Sequence, residues 1–308
     1  MHTREWGEGR PVIALHPLAL ESSAFEGIAR DLAGRGYRTI AVDLPGFGKT
    51  ANADERGLSP PVLAEPVIEL AQRLEAPPAI IGISMGGRVA LESVFQEPGA
   101  FSAVVPIAPY LPWRSWRPIL KLANFLSPRA AERIPLDRAW PLLSWMTRKA
   151  QEVPLLREDE LAKAAALAIY NFSCPATRGA FVSAAREMAL DPAFGREGFW
   201  TRLADLAVPA TFIWGERDWL VSKDLARPVS RTLPSARQVV IPCNGHALNG
   251  PHHRCLSEFV ANLLDSGLGG VSPAAESPNA DGTDMIRVPC RRGGESEPLT
   301  ELSEPEAI

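Results

Sequence analysis

The feature that most constrains the fold is a regular alternation of short apolar runs and amphipathic segments between residues 11 and 265. The apolar runs are PVIALH, RTIAVDL, PAIIGI, SAVVPIA, PATFIWG and RQVVIP. Runs of this length and composition are typical of strands buried on both faces of a parallel sheet. Most of them are separated by stretches such as SSAFEGIARDLAGRG, whose apolar residues recur along one helical face. The alternation predicts an α/β fold, a doubly wound and mostly parallel sheet, with its ligand site outside the carboxyl ends of the strands.

One connection between the predicted strands is too long to be a loop. Residues 110–200 show no strand pattern, and their helical patches are interrupted by prolines. Because long structureless loops are uncommon in compact domains, we expect an inserted helical cap here, with the core formed by residues 1–109 and 201–265. The aromatic residues of the insert either form its own core or line an apolar pocket. The candidates for substrate binding are Trp113, Trp116 and Trp145.

The C-terminal residues 266–308 have a different composition. They are rich in Gly, Pro, Ser and Glu, and they show no hydrophobic period. Such a segment buries too little apolar surface to offset its loss of conformational entropy, so we expect a disordered acidic tail. We therefore expect its deletion to leave activity unchanged.

Composition disfavours several other classes of protein. A net charge of −4 and the lack of a Lys/Arg run provide no basic surface for nucleic acid. The four cysteines are scattered without a C-x-x-C pair. We therefore expect no metal site, no disulfide framework and a reducing, cytoplasmic compartment. No apolar run reaches the roughly 18 residues that suggest a membrane-spanning helix.

The stretch DLPGFGKT, residues 43–50, ends like a nucleotide-binding loop. A phosphate cradle also needs a glycine at the position of Asp43, whose carboxylate would repel phosphates. A helix should begin at the lysine, yet KTANADERGLSP is polar and contains Gly and Pro. We therefore expect no nucleotide binding and no organic cofactor.

The stretch IIGISMGGRVAL carries the strongest chemical signal. Gly82, Ser84 and Gly86 form the pattern G-x-S-x-G, with an apolar strand before it and a helical pattern after it. A strand–turn–helix of this kind holds a serine in a strained, exposed position. Its flanking glycines allow the turn to close without side-chain clashes.

A serine nucleophile needs a base, and the base needs an orienting acid. Asp218 follows the predicted strand PATFIWG, and His246 follows RQVVIP. Glu216 is a rival for the acid, while His252 and His253 are rivals for the base. The three predicted strand ends therefore present a nucleophile, an acid and a base in that chain order.

These motifs together resemble the α/β-hydrolase fold superfamily, in particular its capped, esterase-like serine hydrolases. HPLAL, DLPGFG, GISMGG, WGERD and NGHAL carry the resemblance, which covers roughly residues 11–265. The resemblance implies that DLPGFG is a turn packed beside the active site. It also implies that Ser84 is the nucleophile, His246 the general base and Asp218 the acid of a catalytic triad.

The resemblance also implies an oxyanion hole formed by the N–H groups of Met85 and Leu18. Relatives usually have His-Gly where this chain has His16-Pro17, so the shape of the loop, including a cis or trans bond before Pro17, stays open. His16 is expected to shape this loop rather than to abstract a proton. Relatives also have an antiparallel hairpin ahead of the first parallel strand, and only ten residues are present for it here.

The expected activity is hydrolysis of carboxylic esters or lactones with an apolar acyl part, through an acyl-enzyme and without cofactor or metal. The expected partner is thus a small apolar ester or a related carbonyl compound. Carbon–carbon bond hydrolysis and perhydrolysis use the same triad and stay open. A non-hydrolytic lyase or a binding scaffold of the same fold is a further alternative.

Overall fold

The computed structural model describes residues 1–50, 57–112, 127–134, 145, 174–218, 220–242, 253–266 and 285–287. Within these residues an eight-stranded sheet has the order β1-β3-β2-β4-β5-β6-β7-β8. The strands are β1 Thr3–Trp6, β2 Arg10–Leu15, β3 Tyr37–Val42, β4 Ala79–Ile83, β5 Ala103–Ile107, β6 Thr211–Gly215, β7 Arg237–Ile241 and β8 Met285–Arg287. The predicted doubly wound, mostly parallel sheet is confirmed, because all neighbouring strands pair in parallel except β1 and β3.

Helices connect most of these strands. They are α1 Glu26–Ala33, α2 Pro60–Gln72, α3 Met85–Gln96, α4 Pro128–Glu132, α5 Pro175–Leu190, α6 Phe199–Ala204, α7 Ala226–Thr232 and α8 His253–Asp265. The amphipathic helices α1 and α8 pack together, and the central strands β4 and β5 are buried along their whole length. In the part of the chain that the structure describes, none of the helices is long and apolar enough to cross a membrane.

At each edge of the sheet the structure has a short strand that the sequence did not predict. The charged N-terminal residues form β1, which pairs antiparallel with β3 from Thr3↔Val42 to Trp6↔Thr39. At the other edge, Met285–Arg287 pairs in parallel with β7. The expectation of a disordered tail over 266–308 is therefore wrong for these three residues. The reason is that Met285 and Ile286 pack against the core, which supplies contacts that the tail's composition does not reveal.

The described parts of the insert are mainly helical. Arg178 on α5 binds α4 by donating to the carbonyl oxygens of Ala131, Glu132 and Ile134. Trp200 Nε1 donates to the Pro112 carbonyl at 3.2 Å, which joins the two ends of the insert. The boundaries of a cap over residues 110–200 stay a prediction.

Candidate active site

Ser84 lies on a sharp turn between β4 and α3. Its backbone has φ 53° and ψ −113°, and Ser84 is half-buried. A non-glycine residue in such a conformation costs on the order of 1–3 kcal/mol, so the surroundings must hold it in place. The Ser84 N–H donates to the Ile107 carbonyl at 2.9 Å. Its carbonyl accepts the N–H groups of Arg88 and Tyr110 at 3.1 and 3.0 Å.

Three glycines surround this serine because no side chain fits at their positions. A Cβ on Gly82 would lie closer than 3.0 Å to the backbone of Gly86. A Cβ on Gly86 would press equally closely on the carbonyl groups of Leu15 and His16, and one on Gly87 would approach the Gly82 carbonyl. Glycine is needed at these positions because neighbouring backbone approaches closely. A positive φ is not the reason, since the residue with positive φ is the serine itself.

The loop after β2 thus lies directly against the Ser84 turn. It continues through His16 and a trans peptide bond to Pro17, then Leu18, and Ala19 with φ 66°. Within the part of the chain that the structure describes, the N–H of Leu18 donates to no backbone carbonyl. The N–H of Met85, as the first residue of α3, has no acceptor within its own helix. The structure therefore brings the two predicted oxyanion donors to neighbouring segments, which meet where Gly86 contacts the Leu15 and His16 carbonyls.

His16 connects this loop to the turn after β3, as its expected role in shaping the loop requires. The imidazole is fully buried, and its Nε2 accepts the Leu44 N–H at 3.0 Å. Its Nδ1 is 2.8 Å from the Pro17 carbonyl, and therefore carries the proton and donates it there. Burial lowers the pKa of the His16 imidazole, against the opposing effects of the Pro17 carbonyl and the Asp43 charge. His16 is thus a neutral structural residue.

Asp43 organises the DLPGFGKT turn. Its Oδ1 accepts the Ser22 N–H at 2.7 Å, while its Oδ2 accepts the Lys49 N–H at 2.9 Å and lies 2.8 Å from His2 Nδ1. Burial alone would raise the pKa of the Asp43 carboxyl, but the hydrogen bonds from Ser22 and Lys49 outweigh it and the pKa is lowered. The N–H groups of Ser22 and Lys49 therefore donate to a carboxylate of the chain itself, whereas a phosphate loop directs its N–H groups at a phosphate.

Asp218 lies in the loop that follows β6, which we call the acid loop and define as residues 216–218 and 220–223. Asp218 is half-buried, and its Oδ1 accepts the N–H groups of Leu220 and Val221 at 2.8 and 2.7 Å. The rival carboxylate, Glu216, is paired elsewhere. Its Oε1 lies 3.2 Å from Lys223 Nζ and 3.1 Å from Arg287 Nη2.

The candidate base lies outside the described residues, as do Trp113, Trp116 and the rival His252. The strand that leads to His246 is described: β7 pairs with β6 through to Gly215↔Ile241, and the Glu216 N–H donates to the Ile241 carbonyl at 3.1 Å. The acid loop and the chain leading to His246 therefore leave the sheet side by side. Trp145 lies in the insert with 51% of its surface exposed, and its role in substrate binding stays a prediction.

A buried charge cluster behind the Ser84 turn was not predicted from the sequence. Arg88, 2% exposed, binds Asp191 with two hydrogen bonds of 2.7 and 3.1 Å and Glu92 with one of 2.9 Å. Arg202 binds the same Glu92 carboxylate at 2.8 and 3.0 Å. The spacing of four residues between Ser84, Arg88 and Glu92 is a signal that the sequence offered. Asp191, 103 residues from Arg88, was not detectable.

Comparisons with known proteins identify the family to which the fold belongs. The sequence profile of the alpha/beta hydrolase fold matches residues 10–252. A pimeloyl-(acyl-carrier protein) methyl ester esterase from Aeromonas hydrophila is 27% identical over 265 residues, covering 84% of this chain and 97% of the relative.

Two solved structures are similar in fold. An esterase from Exiguobacterium antarcticum has a TM-score of 0.67 at 19% identity, over 86% of this chain and 95% of its own. The enol-lactonase from Burkholderia xenovorans has a TM-score of 0.64 at 17% identity, over 86% of this chain and 96% of its own. At these identities the likeness concerns the fold alone.

Proposed function

The chain belongs to the alpha/beta hydrolase fold family, and on this premise we propose that it is a serine hydrolase of the esterase type. Its substrates are carboxylic esters or lactones with an apolar acyl part. Ser84 attacks the carbonyl carbon, His246 takes the serine proton and returns it to the leaving alcohol, and Asp218 orients the imidazole. Water then hydrolyses the acyl-enzyme by the same route.

The observation that carries this proposal is the conformation of Ser84. A φ of 53° at a non-glycine residue is energetically unfavourable, and three close backbone contacts at Gly82, Gly86 and Gly87 surround it. A serine needed only for a turn would be replaceable there by glycine at lower cost. The strain is understandable if the turn must place the hydroxyl at the end of β4, ahead of the α3 N-terminus.

The adjoining backbone supports stabilisation of an oxyanion. The N–H of Met85 belongs to the first turn of α3, where N–H groups lack intrahelical acceptors and the helix dipole favours negative charge. The N–H of Leu18 lies on the loop fixed by His16 and by Gly86. Two such donors stabilise the tetrahedral intermediate, and each contributes on the order of 10²–10³ in rate.

The acid loop supports Asp218 over Glu216 as the orienting acid. Two N–H donors fix one carboxylate oxygen of Asp218, which sets the direction of the other. Glu216 is engaged by two cations, and its ion pairs would have to break before it could bind an imidazole.

The name of a relative supports the proposed substrate class. The Aeromonas relative, which is similar over most of its length, is named a methyl ester esterase of a carrier-bound acyl chain. Cleavage of a methyl ester by this relative agrees with the carboxylic-ester substrate that we infer for this chain. We therefore propose simple alkyl esters as the first substrates to test.

The test is mass spectrometry of the intact protein after treatment with a fluorophosphonate, beside the Ser84→Ala variant. A single adduct on the wild type that is absent from the variant is the expected result, since only an activated serine reacts. A series of p-nitrophenyl esters of rising chain length then measures the size of the pocket. Well-folded wild-type protein that forms no adduct would rule out the proposed nucleophile.

A further inference from the structure

The C-terminal strand β8 has no role in the triad, yet one of its side chains reaches the acid loop. We propose that β8 is a clamp for this loop and that Arg287 is a positioning residue, which holds Asp218 in place through Glu216. The inference rests on the proposed function for the identity of Asp218 as the acid. The clamp itself is a property of the structure that can be measured without catalysis.

Glu216 is the centre of the clamp. Its side-chain oxygen Oε1 binds Lys223 Nζ at 3.2 Å, which ties together the first and last residues of the acid loop. The same oxygen binds Arg287 Nη2 at 3.1 Å, which ties the loop to β8. The Glu216 N–H donates to the Ile241 carbonyl at the end of β7. Asp218 is therefore two residues from Glu216, which is held by two side-chain ion pairs and one backbone hydrogen bond.

Strand β8 is itself anchored to the sheet. It pairs with β7 through Gln238↔Met285, Val239↔Ile286 and Val240↔Arg287. Met285 and Ile286 pack against the hydrophobic core, so the strand is held by burial as well as by backbone hydrogen bonds. Because parallel strands end at the same edge of the sheet, Arg287 at the carboxyl end of β8 lies beside the carboxyl ends of β6 and β7. That is where Glu216 and the proposed acid are.

The exposure of the clamp sets the size of its effect. Glu216, Lys223 and Arg287 have side chains 27%, 32% and 45% exposed, so water and salt screen their interactions. The loss of one such ion pair is expected to change the population of the ordered loop by roughly two- to fivefold. Misplacement of an orienting group then lowers the turnover rate, while substrate binding at the pocket is unaffected.

The experiment compares Arg287→Gln, Arg287→Lys and the matched control Arg38→Gln in the full-length chain. Arg38 also forms an exposed ion pair, with Glu5 at 2.7 Å, but at the opposite edge of the sheet. The first readout is hydrogen exchange, measured by NMR, of the Leu220 and Val221 amides that donate to Asp218. The second is kcat and KM on a short p-nitrophenyl ester.

In Arg287→Gln, both amides are expected to exchange roughly two- to fivefold faster, with a similar fall in kcat and an unchanged KM. Arg287→Lys keeps a cation and is expected to restore both values, while Arg38→Gln changes neither. Ile286→Asp, which puts a charge where β8 meets the core, is expected to accelerate exchange at least as much. Deletion of residues 266–308 should therefore lower kcat, contrary to the expectation from composition.

Unchanged exchange at Leu220 and Val221 in both Arg287→Gln and Ile286→Asp would overturn the clamp. That result, together with normal labelling of Ser84, would leave the proposed function intact. Faster amide exchange in these variants, together with a Ser84 that does not react with a fluorophosphonate, would support the clamp and overturn the proposed function.

Discussion

The Ser84 turn and the acid loop both present a side chain at the end of a strand, but different interactions hold them. At the Ser84 turn, backbone packs directly on backbone at Gly82 and Gly86, and a Cβ at either glycine would come closer than 3.0 Å to its neighbours. In the acid loop, the Asp218 carboxylate accepts two backbone N–H groups, and Glu216, two residues before it, forms two partly exposed ion pairs.

The two regions therefore differ in what they tolerate. Close packing cannot yield by a few tenths of an ångström without shifting the chain, so the Ser84 turn is coupled to the stability of the core. Exposed ion pairs contribute little to stability, so the acid loop can vary without unfolding the protein. We infer that substitutions at the Ser84 turn change the free energy of unfolding, while substitutions in the acid loop change the rate.

The largest expected effect comes from Asp218→Asn in the acid loop. Asparagine keeps a side-chain oxygen that can accept the N–H groups of Leu220 and Val221, so the loop should persist. It lacks the charge that stabilises an imidazolium, and kcat is expected to fall by about 10⁴-fold, as in other triads. Steady-state assays with p-nitrophenyl acetate measure kcat. In urea unfolding, the free energy of unfolding should differ from that of the wild type by no more than about 1 kcal/mol.

Glu216→Gln is the control for this prediction. It removes the rival carboxylate and should reduce kcat by no more than roughly fivefold, since it weakens two exposed ion pairs. A loss of about 10⁴-fold in Glu216→Gln, with little change in Asp218→Asn, would identify Glu216 as the acid instead.

Gly86→Ala in the Ser84 turn is expected to have the next largest effect, and on stability. Its methyl group would meet the carbonyl groups of Leu15 and His16, neither of which is the end of a flexible side chain. Overpacking of this kind is expected to lower the free energy of unfolding by on the order of 3 kcal/mol. Urea denaturation followed by circular dichroism measures it.

Gly34→Ala is the matched control. Gly34 ends α1 with φ −64°, and the nearest atom to its added Cβ is 3.5 Å away, which is ordinary van der Waals contact. The free energy of unfolding should change by less than about 1 kcal/mol. If both alanine variants had the same stability, close packing at Gly86 would not be what holds the Ser84 turn.

The same contrast explains which parts of the site the sequence predicted. The requirements of the Ser84 turn are local: strand residues, glycines and a helix follow one another within a few positions of the serine, so the pattern predicted it. The predicted strands β2 to β7 were found for the same reason, since each contains a local run of apolar residues.

Features that depend on distant partners were missed. Strands β1 and β8 contain charged residues and are short, and each exists because an edge of the sheet is available to pair with it. The same holds for the contact of Arg88 with Asp191, which joins α3 to the residue that ends α5. The arginine and Glu92 share a helical face, but only the fold brings the aspartate to them.

The smallest expected effect is on the pH dependence of the free energy of unfolding. It arises from His16, on the loop that packs against the Ser84 turn. Burial lowers the pKa of this imidazole below 6.5, and the nearby Asp43 and Glu21 charges only partly oppose it. As the pH falls, the His16 imidazole therefore binds a proton at a higher pH in the unfolded chain than in the folded protein. The stability from neutral His16 is fully present above about pH 6.5 and is lost as pH falls through the folded pKa, by at most about 1.4 kcal/mol per pH unit. The lowered pKa of Asp43 acts only at more acidic pH, because its contribution is present above the ordinary value of a carboxyl.

Urea unfolding of the wild type and of His16→Gln at intervals from pH 7.5 to pH 5 tests this prediction. The variant should be less stable at every pH, because it loses the bridge from Leu44 to Pro17. Its free energy of unfolding should also fall less steeply below pH 6.5, since it has no imidazole to protonate. All other histidines are the same in both proteins, so the difference between the two curves isolates His16. Parallel curves would mean that the loop bearing Leu18 tolerates a charged His16, and that the packing around Ser84 is not sensitive to pH through this residue.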